Sequence, residues 1–238
     1  MEAQPNHPEI YRSQAQQYDA LVRHEDCDGN IVRALTALCP WSGRTVVETG
    51  AGTGRLTFLL AGLTSAYTIC DHSPAMLAVA SEKRAGGGFE QVRIAAADHR
   101  SLPLAGGQAD ICLSGWSVCY LVADYPLNWQ TELAAALAEL ERLLKPGGWT
   151  VLLETLGTGF ETPQAPPHLQ AYYHYLETHG FRRKWIRTDY QFESLAQGQE
   201  LARFFFGEAM VANVKPVEQG ARLAECTGIW ARQKVNSM

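Results

Sequence analysis

Hydrophobic residues follow two different patterns along this chain, and the change falls near Glu154. Before that residue, short apolar runs with the length of buried strands alternate with longer segments in which apolar residues recur at helical spacing. The apolar runs cover residues 46–49, 66–71, 91–96, 109–114 and 149–154. Strands that alternate with helices predict a parallel sheet with helices on both faces.

Beyond Glu154 the pattern predicts a different arrangement. Residues 156–167 contain three prolines and two glycines, so we expect a mobile connector there. The elements expected after it are a helix over 168–178, a strand over 182–192, a helix over 195–206 and a strand over 226–233.

The N-terminal part predicts two helices ahead of the first strand, over residues 11–22 and 31–38, after a loose segment over 1–10. A chain of 238 residues has the length of one domain with a sizeable core. We therefore expect a single domain, 1–238, made of an N-terminal helical cap (1–40), a core (41–155), and cap helices with late strands (156–238).

The most specific segment joins the first apolar run to the next helix with the spacing Glu48-x-Gly50-x-Gly52-x-Gly54. Glycines let a ligand approach the backbone closely, and a helix N-terminus offers free N–H groups. A dinucleotide loop needs a third glycine three residues after the second, but that position is Arg55. The spacing instead resembles the first motif of class I S-adenosylmethionine (SAM) methyltransferases, and within them the methyltransferase type 11 group.

Further motifs carry the same resemblance. The second apolar run ends in the acid Asp71, the third is followed by the acid Asp98, and Leu-Lys-Pro-Gly-Gly over 144–148 is a recurrent turn of that family. The resemblance implies a doubly wound, seven-stranded, mostly parallel α/β sheet of Rossmann-like type, with antiparallel late strands and a helical cap. Read without the family, Asp71 is also placed to cap a helix that starts near Ser73 and Pro74.

The resemblance implies SAM as the cofactor. The glycine loop would wrap its methionine part, Asp71 would accept the ribose hydroxyls, and Asp98 with the backbone N–H of His99 would bind adenine. The cofactor-binding residues predicted in this way are Glu48, Gly50, Ala51, Gly52, Gly54, Asp71, His72, Met76, Asp98, His99, Ser114, Tyr11 and Tyr18.

The methyl acceptor is expected above the carboxyl ends of the strands. The candidate acceptor-binding residues are Trp116, Tyr120, Thr155, Tyr172, Tyr173 and Arg187. Tyr172 and Tyr175 share a helix face, a spacing that is typical of core packing but also suits a substrate wall. A general base is needed only when the nucleophile must lose a proton, and His24 and His168 are the candidate bases. We also expect residues 156–175 and 11–28 to form a lid.

Composition narrows the choice of function. With 46% hydrophobic residues, 19% charged residues and a net charge of −5, the chain is typical of a globular domain, and we expect no nucleic-acid partner. We expect a cytoplasmic protein, because the six cysteines form no Cys-x-x-Cys pair and no signal peptide or membrane span is visible. We expect no metal ion, because no metal-ligand cluster is visible, and we expect the protein to be a monomer or a homodimer.

Three functions stay open from the sequence. The first is methyl transfer from SAM to an O, N, S or C nucleophile of a small molecule. The second is methyl transfer to RNA or protein, against which the acidic charge balance counts. The third is a non-catalytic SAM-binding subunit.

Overall fold

A seven-stranded sheet organises the chain, in a computed structural model that describes residues 5–235. The order of its strands is β3-β2-β1-β4-β5-β10-β6. The strands, including three that form a second small sheet, are β1 (Thr45–Thr49), β2 (Ala66–Asp71), β3 (Val92–Ala96), β4 (Ala109–Gly115), β5 (Leu144–Thr158), β6 (Arg182–Arg187), β7 (Tyr190–Phe192), β8 (Lys215–Pro216), β9 (Ala221–Leu223) and β10 (Glu225–Gln233).

Helices cover both faces of the sheet and its upper edge, which is the edge formed by the carboxyl ends of the parallel strands. They are α1 (His7–Ser13), α2 (Ala15–Val22), α3 (Asn30–Leu38), α4 (Thr57–Leu60), α5 (Pro74–Gly86), α6 (Tyr120–Asp124), α7 (Trp129–Leu143), α8 (Gln170–Thr178), α9 (Leu195–Phe206) and α10 (Glu208–Val211), with short 3₁₀ turns at Ala61–Leu63 and Pro167–Leu169.

The pairing of the strands confirms the predicted fold class. β1 pairs in parallel with both β2 and β4, and β4 pairs in parallel with β5. β10 lies antiparallel between β5 and β6. The chain therefore has the seven-stranded, mostly parallel sheet with antiparallel late strands. Because strand order reverses beside β1, the crevice above the carboxyl ends of β1 and β4 is the topological position for a ligand.

The sheet is a packed layer because its strands are apolar on both faces. In β4, the Cys112 side chain packs with Leu140 of α7, whereas Ile111 and Leu113 belong to a second buried cluster with Leu56 and Leu60. Successive side chains of a strand point to opposite faces, so the continuous apolar run in the sequence reports burial on both sides.

Two predicted boundaries after Glu154 are wrong. The strand predicted over 182–192 is two strands, β6 and β7, and β7 joins β9 and β8 in a separate three-stranded antiparallel sheet. The break falls at Thr188 and Asp189, where the Asp189 carboxylate accepts two hydrogen bonds from the Arg187 guanidinium, at 2.8 and 2.7 Å. β5 also continues to Thr158, because β10 pairs with it that far, so the first residues of the expected connector are strand.

The N-terminal prediction is also wrong in detail. Helix α1 begins at His7, where the Asn6 side chain accepts a hydrogen bond from the Glu9 backbone N–H and Pro8 occupies the first turn. The helix predicted over 11–22 is interrupted at Gln14, between α1 and α2. Residues 7–10 are therefore ordered in α1, and residues 1–4 of the predicted loose segment lie outside the described residues.

Helices α1, α2 and α9 together form a cap over the upper edge of the sheet. Ala15 packs with Met76 and Val79 of α5, while Leu21 packs with Leu201 and Ala202 of α9. Helix α2 is thus held by apolar contacts to two distant parts of the chain, α5 and α9. Within residues 5–235, no helix is long and apolar enough to cross a membrane.

Candidate cofactor and acceptor site

A cavity of about 790 Å³ lies between the carboxyl edge of the sheet and the cap. This volume is in the range of small-molecule sites. Most of the residues predicted for the site line it: Tyr11, Tyr18, Glu48, Gly50, Ala51, Gly52, Asp71, His72, Met76, Asp98, His99, Trp116 and Tyr120. The sheet edge and the cap therefore face one common space.

The glycine loop after β1 adopts a conformation that glycine favours. Gly50 has φ 64° and Gly52 has φ 56°, values that L side chains rarely adopt. A Cβ at Gly50 would collide with the Ser117 side chain, whereas the nearest atom to a Cβ at Gly52 is the Met76 methyl, 3.7 Å away. Gly52 therefore leaves room on the cavity side for a ligand to approach the backbone.

Asp71, at the end of β2, holds the glycine loop in place. Its Oδ2 accepts a hydrogen bond from the Gly52 backbone N–H at 2.8 Å, and its Oδ1 accepts one from the Ser73 N–H at 2.8 Å. The N-cap of α5 is Ser73, whose hydroxyl accepts from the Met76 N–H. The alternative interpretation of Asp71 as the helix cap is thus not what the structure shows.

Asp98 follows β3 and lines the cavity, but its carboxylate is paired. The Arg100 guanidinium donates to both of its oxygens, at 2.8 and 2.7 Å. These hydrogen bonds lower the pKa of Asp98 to about 2. Arg100 also contacts Glu132 at 2.6 Å. An adenine amino group would have to share Asp98 with Arg100, a partner that the sequence motif did not indicate.

His99 contributes a side chain to the cavity wall, not only the backbone N–H that the sequence predicted. Its Nδ1 lies 2.8 Å from Thr49 Oγ1, and its Nε2 lies 2.9 Å from Ser117 Oγ. Burial lowers the pKa of His99 to about 4. The ring is therefore neutral at pH 7 and joins the end of β1 to the loop after β4.

Glu48 lies beneath the glycine loop. Its Oε2 accepts hydrogen bonds from Thr57 Oγ1 at 2.7 Å and from Tyr67 Oη at 2.8 Å. Burial raises the pKa of Glu48 to about 7. The side chain links β1 to α4 and β2, so it fixes the elements that carry the loop.

Arg55 lines the cavity although sequence reasoning used it only to exclude a dinucleotide loop. Its guanidinium lies 3.4 Å from the centroid of the Trp116 ring and forms a buried ion pair with Glu25. Trp116 itself has φ 49°, an uncommon value for a large side chain. The sequence feature that could have predicted Arg55 in the cavity lining was an arginine directly after the last glycine of the loop.

Aromatic side chains from four helices form the cap end of the cavity. The hydroxyls of Tyr11 in α1 and Tyr120 in α6 lie 2.6 Å apart. The Tyr18 ring packs edge-on against Tyr11, and Phe205 of α9 packs against both. Burial raises the pKa of the Tyr11, Tyr18 and Tyr120 hydroxyls, so all three stay protonated at neutral pH.

His7 joins this cluster and was missed because residues 1–10 were predicted to be loose. Its ring stacks on Phe205 at 4.5 Å between centroids. Its Nε2 lies 2.9 Å from the Phe205 backbone oxygen, and its Nδ1 lies 3.5 Å from Tyr120 Oη. No local motif marks this histidine, since its partners are distant in sequence.

Four of the predicted acceptor residues are not part of the cavity lining. Tyr172 is fully buried in the core and donates a hydrogen bond to Glu154 at 2.9 Å, while the Tyr173 hydroxyl donates to the Thr155 backbone. Thr155 donates to Glu225 at 2.7 Å, and Arg187 is paired with Asp189. The tyrosines of α8 therefore pack against the sheet and do not form a substrate wall.

Two predicted cofactor residues also lie outside the lining. Ser114 is buried in β4 at 1% exposure, and its hydroxyl has no hydrogen-bond partner within the described part of the chain. At Gly54, which has φ 83°, a Cβ would collide with the Phe58 ring. Gly54 thus allows close packing of the helix against the loop.

The two predicted bases are not brought to the cavity. His24 Nδ1 donates to the Gln191 backbone oxygen at 2.9 Å, so it ties the cap to β7. His168 is exposed in the 3₁₀ turn before α8. Over residues 5–235 we find no group of three or more His, Cys, Asp or Glu side chains arranged to hold a metal ion.

Comparison with known proteins identifies methyltransferases among the similar sequences. Residues 47–152 match the family model described as "Methyltransferase domain". The chain is 32% identical over 142 residues to a malonyl-[acyl-carrier protein] O-methyltransferase of Pectobacterium atrosepticum, covering 60% of this chain and 49% of that protein. It is 29% identical over 184 residues to a demethylmenaquinone methyltransferase of Staphylococcus aureus, covering 73% and 70%.

The fold matches as well. A SAM-dependent methyltransferase from Aquifex aeolicus superimposes with a TM-score of 0.58 at 18% identity, covering 92% of this chain and 96% of that one. Fold, glycine loop and family match together define a class I methyltransferase domain. Over the matched residues the chain is similar to the methyltransferases of this family model, and the SAM-dependent neighbours support SAM as its cofactor. It spans about half the length of the first curated relatives it matches.

Proposed function

We propose that this protein transfers the methyl group of SAM to a small-molecule acceptor that occupies the cap end of the cavity. One observation carries the proposal. The Asp71-tethered glycine loop and the aromatic cluster of the cap line the same cavity. A cofactor held at one end would therefore face an acceptor held at the other.

The residues at the sheet edge fit the cofactor. Gly52 leaves space beside the backbone, the Asp71 carboxylate retains acceptor capacity for hydroxyl groups, and Met76 offers an apolar surface beside them. When bound, SAM supplies an electrophilic methyl group on a sulfonium. The protein's task is then to hold, align and dehydrate the two reactants.

The cap end fits a compact acceptor better than a macromolecule. Helices α1 and α2 cover the cavity and pack on α5 and α9. The net charge of −5 gives no general attraction to RNA. The two curated relatives are named for different acceptors, a malonyl group on a carrier protein and demethylmenaquinone, so their names do not select one for this chain. We propose a cytoplasmic monomer or homodimer.

Titration calorimetry tests the first half of the proposal. SAM and S-adenosylhomocysteine should bind with micromolar-range affinity, and NAD should give no heat, because Arg55 stands where a dinucleotide loop needs glycine. Binding of NAD without binding of SAM would overturn it.

A panel of small metabolites tests the second half, with release of S-adenosylhomocysteine as the signal and mass spectrometry of the products. We expect one chemical class of acceptor to be methylated. Methylation of RNA or protein, with none of small molecules, would favour the macromolecular alternative. SAM binding with no methylation of any of these acceptors would favour the non-catalytic SAM-binding subunit.

A further inference from the structure

The cap end of the cavity contains a chain of hydrogen-bonding groups that connects its interior to a histidine. The Tyr11 and Tyr120 hydroxyls lie 2.6 Å apart, and Tyr120 Oη faces His7 Nδ1 at 3.5 Å. Tyr11 and Tyr120 line the cavity, whereas His7 lies behind them, partly exposed. Such a chain can carry a proton out of the cavity.

The hydrogen bond at the far side of His7 fixes the tautomer of its ring. Nε2 lies 2.9 Å from the Phe205 backbone oxygen, and a carbonyl oxygen can only accept. Nε2 therefore carries the proton in the neutral ring, and Nδ1 presents a lone pair towards Tyr120. The 3.5 Å contact is long for a hydrogen bond, and such contacts often tighten when the reacting complex forms.

The tyrosines serve as carriers and not as bases. Because burial raises the pKa of both hydroxyls, neither supplies a tyrosinate at neutral pH. Each hydroxyl can accept one proton while donating its own. His7 is the member of this series whose ring nitrogen Nδ1 presents a lone pair to the incoming proton, and its ring stacks on Phe205, whose face favours a cation.

His99, the other histidine at the cavity, is unsuited to this task. Both of its ring nitrogens are bonded to hydroxyls, of Thr49 and Ser117. Burial lowers its pKa to about 4, so it is a weak base. The two histidines thus differ in environment: one is enclosed beneath the glycine loop, and the other is stacked at the partly exposed edge of the cap.

Two other aromatic rings that line the cavity, those of Trp116 and Tyr125, also bear on the charge of the acceptor. The Arg55 guanidinium lies over Trp116 at 3.4 Å, and the Arg100 guanidinium lies over Tyr125 at 4.7 Å. Each of these two cavity-lining rings therefore already holds a cation on one face. A series of groups that removes a proton serves a neutral acceptor with an acidic hydroxyl, which becomes anionic as it reacts.

Given the proposed function, we propose that the acceptor carries a weakly acidic hydroxyl of the phenol or enol type, and that Tyr11, Tyr120 and His7 relay its proton. The acceptor O–H bond breaks and its proton passes to Tyr11 Oη. The Tyr11 proton passes to Tyr120 Oη, and the Tyr120 proton to His7 Nδ1. The hydroxyls end unchanged, His7 becomes an imidazolium, and the acceptor oxygen keeps the electron pair for methylation.

The charged groups around His7 are largely compensated. Its ring contacts are with Tyr11, Tyr120 and Phe205. On the packed elements, Glu9 pairs with Arg12 in α1, and Arg203 of α9 pairs with Glu208. Asp124, at the end of α6, also lines the cavity. Its effect on the pKa of a bound acceptor must therefore be separated from the effect of His7.

The test uses 4-nitrophenol as the probe, because its visible absorbance reports its ionisation directly. The full-length protein is first saturated with S-adenosylhomocysteine, whose binding is verified by calorimetry, and the apparent pKa of bound 4-nitrophenol is then measured. We expect this pKa to be about one unit higher in His7→Gln and in Tyr120→Phe than in the wild type, since the proton acceptor or its connection is lost. Gln can still donate to the Phe205 oxygen, so the fold of α1 is preserved.

Two control variants complete the design. His174→Gln, at an exposed position on α8, should leave the pKa of the bound probe at the wild-type value, whereas Asp124→Asn, which removes a negative charge from the cavity lining, should lower this pKa and not raise it. If His7→Gln does not fold, Tyr120→Phe carries the test alone. Equal probe pKa values in wild type, His7→Gln and Tyr120→Phe would overturn the proposal, and so would a shift that appears only in Asp124→Asn.

The outcome is separable from the proposed function. A wild-type protein that binds no S-adenosylhomocysteine fails at the first step and contradicts the cofactor assignment. A protein that binds S-adenosylhomocysteine but does not bind 4-nitrophenol contradicts the hydroxyl-acceptor inference alone.

Discussion

The two ends of the cavity are built in different ways. At the sheet edge, the backbone N–H of Gly52, in the loop after β1, donates a hydrogen bond to Asp71, the last residue of β2. At the cap, Tyr11 contacts Tyr120, 109 residues away, and His7 contacts Phe205, 198 residues away. The end at the sheet edge, which we propose as the cofactor end, is a local product of strand, loop and helix, whereas the cap end, which we propose as the acceptor end, exists only once the cap has packed on the sheet.

The largest expected effect sharpens this comparison at the cofactor end. Gly52→Val should reduce SAM affinity at least about 100-fold, because the side chain would occupy the space beside the backbone and disfavour the positive φ. Calorimetry measures the affinity. Gly43→Val is the matched control, since Gly43 also has positive φ, with no atom near its Cβ and no part in the cavity lining. Equal losses in both variants would mean that strain, and not the ligand site, is responsible.

Asp71→Ala should weaken SAM binding by about 1–3 kcal/mol, roughly 5- to 150-fold, through loss of charge-assisted hydrogen bonds and of the tether to Gly52. The control is Asp110→Ala, because Asp110 likewise accepts a backbone N–H, that of Thr45 at 2.9 Å, but lies away from the cavity. Unchanged SAM affinity in a folded Asp71→Ala variant would break the account of the cofactor end.

A third prediction concerns Glu154, whose buried carboxyl group belongs to neither end of the cavity. Burial raises the pKa of Glu154 from 4.5 to about 7. A folded-state pKa above the unfolded value means that Glu154 favours folding only while protonated, so its effect on stability becomes unfavourable as pH rises from about 4.5 to 7. Glu154→Gln should therefore be more stable than wild type at pH 8, by about 1–3 kcal/mol, with the gain fading by pH 5.

Denaturant unfolding at both pH values measures this effect, with Glu193→Gln at an exposed position as the control. A gain that is independent of pH would show that the ionisation of Glu154 is not the cause. SAM affinity should stay unchanged in Glu154→Gln, because this residue does not line the cavity.

The smallest expected effect is on local dynamics. The lid predicted from the sequence combined residues 156–175 with residues 11–28, but the structure places Tyr172 and Tyr173 in the core. We expect hydrogen exchange of α1 and α2 to slow several-fold when S-adenosylhomocysteine binds, and exchange of α8 to stay the same. Protection of α8 instead would restore the original lid.

The same contrast explains what the sequence could predict. Five strands in order, the glycine spacing, the acid at the end of β2 and the acid after β3 are local signals, so the fold class and most of the residues that line the sheet end of the cavity followed from them. The paired state of Asp98 was missed because the motif does not report Arg100 as a partner. The bases were assigned to His24 and His168 because single histidines carry no local signal, and His7 became visible only through contacts with α6 and α9.

The tyrosines of α8 show a limit of predicting a site from the spacing of residues along a helix. Their spacing suited both a core face and a substrate wall, and only the pairing of Tyr172 with Glu154 in the core distinguishes the two. A periodic pattern reports which side of a helix is buried, but it does not report what the helix is buried against.

The central claim is that one cavity holds the cofactor at the sheet edge and the acceptor at the cap. A crystal structure of the complex with S-adenosylhomocysteine tests it most directly. The account predicts that the ribose hydroxyls contact the Asp71 carboxylate, that the homocysteine part lies beside Gly52, and that the sulfur faces the Tyr11 and Tyr120 hydroxyls. A ligand bound outside this cavity, or bound in it with the sulfur directed away from the two tyrosines, would contradict the account.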